Sequence, residues 1–103
     1  MTNKKATFTA KQIVILDQML RLIEQNAEVT KSATSFLRYG ASDKDPDLQS
    51  SENPVTKKNQ LSRKVGELLS TIDHLVEDKL IDQRILQEAR EQKYWANHEK
   101  WDV

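Results

Sequence analysis

The chain of 103 residues contains no cysteine, two glycines, two prolines and six aromatic residues, and it has no excess of either charge. Each shortage excludes something. Without cysteine there is neither a disulfide framework nor a thiolate metal site. With 16 basic and 16 acidic residues the formal net charge is zero, which argues against a general nucleic-acid binder, for which a basic stripe is expected. No apolar run approaches the length of a membrane span, and the first residues lack the apolar core of a signal peptide. A cytosolic location is therefore the default expectation. The scarcity of glycine and proline, with Pro46 and Pro54 in one polar stretch, favours a mostly helical chain broken by one long loop. The length suits a single domain with a modest core, one that a partner subunit would help to complete.

The periodicity supports this reading. Residues 1–7 are polar and expected to be a flexible N-terminus. Thr9 is a good N-cap, Gln12 completes a capping box, and Phe8 with Ile13 fits a hydrophobic staple. From there to Tyr39 two apolar rows recur at steps of three and four. One row holds Ile13, Leu16, Leu20, Ile23, Ala27, Thr30, Thr34 and Leu37. The other holds Ile15, Met19, Leu22, Val29, Ala33 and Phe36. Together they predict one long helix with an apolar face wide enough for more than one neighbour, stopped by Gly40. Residues 40–57 read as a polar loop, functional or disordered. Asn53-Pro54 is a start signal for a second helix, there or a turn later. That helix, with Leu61, Val65, Leu68, Leu69, Ile72, Leu75 and Val76 in helical period, runs to about Lys79. Asp82 is a candidate N-cap for a third helix with Ile85, Leu86 and Ala89 inward, followed by a mixed tail of Tyr94, Trp95, His98 and Trp101. The fold class expected is all-α, an antiparallel helical bundle in one domain.

Two acidic clusters interrupt these helices. Glu24 and Glu28 lie one turn apart on the first. Glu67 follows Lys64 and Gly66 in the middle of the second. Antiparallel packing of the two helices would let both clusters face one cleft, where converging carboxylates suit Mg²⁺, a hard cation that prefers oxygen ligands. By spacing alone the same residues read first as ordinary surface charge, with Glu24 paired to Arg21, Glu28 to Lys31 and Lys64 to Glu67. Gly66 in mid-helix suggests a close helix approach, since it costs about 1 kcal/mol relative to alanine. His74, beside Asp73, reads as an edge or core histidine. Trp95 and Trp101 suit packing, or stacking on a base.

At these residues the chain resembles a known family. The stretches LIEQNAEVTKSATSFLRYG (22–40) and NQLSRKVGELLSTIDHLVEDKLIDQRILQEAREQK (59–93) resemble compact, often phage-borne members of the MazG-like all-α nucleoside triphosphate pyrophosphohydrolases. That family carries Glu-Glu-x-x-Glu on one helix and Glu-x-x-Asp on the next. The resemblance implies a helical bundle assembled as a homodimer or homotetramer, in the cytoplasm (the host's, for a phage protein). It also implies a nucleoside triphosphate or related nucleotide as partner, and Mg²⁺ or Mn²⁺ as cofactor. By position, Glu24, Glu28 and Glu67 would be metal ligands, and Glu28 and Glu67 the catalytic acids. Hydrolysis in the family yields a nucleoside monophosphate and pyrophosphate.

The departures from the motif carry their own expectation. Gln25 stands at the second motif acid, Lys64 at the first acid of the second motif, and Glu67 where the family has aspartate. A full set of five acids would carry −5. Here Glu24, Glu28 and Glu67 give −3 and Lys64 adds +1, for −2. A lysine ammonium would take the place of a cation, weaken metal binding and leave hydrolysis slow or absent, or it would contact a phosphate directly. One alternative is a catalytically inactive nucleotide-binding or protein-binding regulator on the same fold; another is a helical assembly or adaptor protein whose likeness to the family is fortuitous.

Overall fold

The computed structural model of the chain describes residues 8–42 and 55–101. The expectations for residues 1–7, for Pro46, Asn53 and Pro54, and for most of the polar loop lie outside the described residues. Three helices account for most of the rest: α1 (Ala10–Tyr39), α2 (Lys57–Glu77) and α3 (Gln83–Trp101). The architecture is all-α, and no helix among the described residues is long and apolar enough to cross a membrane. The chain divides into two compact units, Met1–Thr71 and Ile72–Val103.

In the first unit, α1 opens with the expected cap. The Thr9 side chain accepts from the Gln12 backbone N–H at 3.2 Å, and the Gln12 side chain accepts from the Thr9 N–H at 2.9 Å. This reciprocal pair satisfies two of the amides that a helix start leaves without partners. The far end closes at Gly40, whose φ of 89° is open to glycine and costly for other residues, and whose N–H donates to the Phe36 carbonyl at 2.8 Å. The first turns of α2 begin beside it: the Lys58 N–H donates to the Ala41 carbonyl at 3.0 Å, and the Lys57 ammonium lies 5.3 Å from the Tyr39 ring centroid. Contacts of Glu28 with Lys64 and of Gln25 with Thr71 then show α2 running back along α1, antiparallel.

Only one of the two apolar rows of α1 is turned inward. Ile15, Met19, Leu22, Val29, Ala33 and Phe36 are half-buried, in company with the polar Gln18, Gln25 and Ser32. The other row, from Ile13 through Leu37, is exposed. The wide apolar face expected from the sequence is therefore split, half of it half-buried and half exposed among the described residues. Among the described residues Leu75 is the single fully buried apolar side chain, and the other buried residues are Ser32, Lys57 and Thr71.

In the second unit α2 ends at Glu77, and Lys79 takes a left-handed conformation (φ 59°). The N–H groups of Leu80 and Ile81 both donate to the Leu75 carbonyl, at 2.9 and 3.2 Å, closing the helix end in the manner of a left-handed cap. Asp82 caps α3 as expected, its carboxylate accepting from the Ile85 N–H at 3.0 Å. The residues read as a mixed tail are helical to Trp101. Ile85, assigned to an inner face, is 59% exposed.

Candidate functional site

The acidic clusters meet where α2 crosses the middle of α1, within the first unit. Glu28 comes from α1. Lys64 and Glu67, one turn apart, come from α2. The Lys64 ammonium lies 3.7 Å from Glu28 Oε2 and 3.5 Å from Glu67 Oε2. It is the more enclosed member of the trio, with 30% of its side chain exposed against about half for each carboxylate. Two of the three acids proposed as metal ligands thus converge on one point, and a cation of this chain occupies it. Glu28 reaches across to Lys64 rather than to Lys31, because the helix crossing brings the ammonium to its carboxylate.

Glu24 does not join them. Its side chain is exposed and makes no ion pair among the described residues, while Arg21, its expected partner, sits 3.9 Å from Asp17 instead. Gln25, at the second motif acid, is committed elsewhere. Its side-chain carbonyl accepts a hydrogen bond from the Thr71 hydroxyl. Thr71 is buried, so this bond fixes the Gln25 amide against α2. No motif in the sequence marks Thr71. The available signal was its place one turn after Glu67 in an apolar helix, where a hydroxyl needs a partner.

This donor set fits an ammonium better than a divalent cation. Among the described residues no three His, Asp or Glu side chains form a group able to hold a metal ion. Glu28 and Glu67 together carry −2, which Lys64 offsets to a net −1, so the ammonium already supplies part of the charge neutralisation that Mg²⁺ would bring. A cavity of about 340 Å³ opens beside the trio, lined by Val55, Gln60, Arg63, Lys64 and Glu67. It presents a guanidinium and an ammonium, the two side chains suited to phosphate oxygens. Gln60 at its wall has a buried side-chain oxygen with no hydrogen-bond partner among the described residues.

Gly66 does not mark a close approach. A methyl group built there meets nothing within 4 Å, so the mid-helix glycine has no packing explanation. His74 is exposed, 3.5 Å from Glu77. In the second unit a larger cavity, about 810 Å³, runs along Val76, Ile81, Arg84 and Gln87, but it has no paired carboxylates and offers no evident chemistry. Trp95 and Trp101 are 61% and 67% exposed. Trp95 meets His98 edge-to-face at 5.7 Å, and Tyr94 stacks on His98 at 6.0 Å.

The resemblance to a family of pyrophosphohydrolases therefore rests on these residues and their order alone, because no family model, curated protein or solved structure matches this chain.

Proposed function

We propose that this chain is a relative of the MazG-like nucleotide pyrophosphohydrolases that binds a nucleoside triphosphate or related nucleotide, with Mg²⁺-dependent hydrolysis weak or absent. The observation that carries the reading is the position of the Lys64 ammonium, 3.7 Å from Glu28 and 3.5 Å from Glu67. In the family those positions hold a metal, whose contribution is to polarise a triphosphate and neutralise its charge. Here a fixed cation takes the charge-neutralising part and leaves no vacant coordination site for an activated water. Arg63 and Lys64 beside the adjoining cavity are the phosphate-binding groups in this reading.

The test is a panel of NTPs and dNTPs with Mg²⁺ or Mn²⁺, measured for pyrophosphate release and for thermal shift. A nucleotide-dependent rise in melting temperature is expected, with little or no turnover. The Gln25→Glu/Lys64→Glu double variant is expected to gain Mg²⁺-dependent turnover. Robust hydrolysis by the unaltered chain would overturn the weakened site. Absence of any nucleotide effect on either protein would overturn nucleotide binding. That outcome would favour the reading in which the helices serve protein binding or assembly, which the exposed apolar row of α1 supports.

A further inference from the structure

We propose that Trp95, with Glu91 and Glu99 on either side of it, docks an arginine-bearing helix of a different protein. The surface lies within the second unit, on α3 alone, and the proposal does not rest on the nucleotide reading. Trp95 is 61% exposed, yet its ring is braced. Tyr94 and His98 meet it nearly at right angles, with centroids 5.4 and 5.7 Å away, a favoured geometry for aromatic pairs. An exposed indole held in this way attracts cations through its π-system, more strongly than any other side-chain ring.

Charge defines the partner. The zero net charge of the chain hides a division, for residues 72–103 hold eight acidic and five basic residues, a net charge of −3. The helical turn of about 100° per residue sorts these charges around α3. Glu91 and Glu99 lie one turn before and one turn after Trp95, each within about 40° of it around the axis. Both are exposed, and neither makes an ion pair among the described residues; Glu91 accepts only from the Gln87 amide. Arg84, earlier on the same side, is paired with Glu88 at 3.8 Å. The other cations of the helix, Arg90, Lys93 and Lys100, stand about 140–160° away from Trp95. A row of carboxylate, indole and carboxylate is complementary to a cationic partner and repels a phosphate backbone.

The length of the row selects a polypeptide over a small cation. From Glu91 to Glu99 it rises about 12 Å, in two steps of about 6 Å. One small cation reaches the ring and a single carboxylate. A helix with basic residues at every fourth position has the same step, so three successive cations meet Glu91, Trp95 and Glu99 together. Arginine suits the middle place, because its planar guanidinium stacks on an aromatic ring. No two basic residues of this chain are four apart. A second copy therefore does not supply such a row, and the partner is another protein.

The experiment uses the full chain and two fluorescein-labelled, alanine-based peptides of identical composition. One carries arginine at every fourth residue, the other carries the same arginines consecutively. Anisotropy at low salt is expected to show saturable binding of the spaced peptide, several-fold tighter than the consecutive one and weakened by added salt. Glu91→Gln/Glu99→Gln is expected to weaken binding about fivefold, the scale of two exposed ion pairs, and Trp95→Ala by a similar factor. Trp101→Ala, about 120° around the helix from Trp95, is expected to leave the affinity unchanged. All four positions are exposed, and the comparison of the two peptides on the unaltered chain needs no variant to fold. Equal affinity for the two peptides would overturn the proposal. So would insensitivity to the carboxylate pair, or tighter binding of a labelled single-stranded oligonucleotide that is lost in Trp95→Ala, which would assign the ring to base stacking.

Discussion

Reversing the charge at residue 64 is the most direct probe of the acidic site, and the structure allows its size to be worked out. Lys64 makes two ion pairs, with Glu28 at 3.7 Å and Glu67 at 3.5 Å, and both carboxylates are about half exposed. Solvent screening limits such pairs to about 0.5 kcal/mol each, so removing the ammonium costs about 1 kcal/mol. Lys64→Glu also places a third carboxylate between two others. At this separation each repulsion is about 1 kcal/mol in a water-like medium. The total is about 2–3 kcal/mol at low salt, and the melting temperature should fall by roughly 10–20 °C on the usual scale for a domain of this size. The three converging acids are then a cation site. At 10 mM Mg²⁺ a site of about 1 mM affinity would return about 1.4 kcal/mol. Thermal melts of both proteins in MgCl₂ and in NaCl of equal ionic strength separate specific binding from screening. The variant should regain stability in MgCl₂ beyond the NaCl control, and the unaltered chain should not. Equal responses of the two proteins, or a Lys64→Glu variant as stable as its parent, would refute the view that Lys64 serves as the internal counter-ion of this site.

Three further substitutions test the surroundings. Thr71→Val removes the buried hydroxyl that donates to the half-buried Gln25 and should cost about 1 kcal/mol in urea denaturation, the net worth of one such hydrogen bond; Gln25→Glu, which keeps an acceptor in place, should cost less. Gly66→Ala adds a methyl group to open space and should raise stability by up to about 1 kcal/mol, with loss of stability as the contrary result.

Much of the backbone was legible because helix ends are encoded locally. Thr9 with Gln12, Gly40 and Asp82 each announce a boundary through a hydrogen bond spanning three or four residues. The continuation of α3 to Trp101 was less legible, because its aromatic and charged residues show no clear apolar face from which to read a helical period. Which face of α1 turns inward was not legible at all. Both rows have the right spacing and similar hydrophobicity, and the choice is made by α2. The inward row carries Gln18, Gln25 and Ser32, polar groups that look solvent-facing until a partner such as Thr71 is supplied. The site followed the same division. The Lys64–Glu67 pair could be read from helical spacing, whereas the contacts of Lys64 with Glu28 and of Gln25 with Thr71 join residues 36 and 46 positions apart and depend on the register of the two helices.

The aromatic end of α3 has a practical consequence. Both tryptophans of the chain, Trp95 and Trp101, lie on that helix, and neither lies in the first unit. Tryptophan fluorescence, excited selectively over tyrosine, is therefore an optical reporter of residues 72–103 and has no direct view of the Glu28–Lys64 contact, while circular dichroism is dominated by the longer helices. Unfolding followed by the two signals reads the two units separately. Coincident transitions would mean that they melt as one cooperative body, and displaced transitions that α3 can unwind while the Lys64 site stays intact.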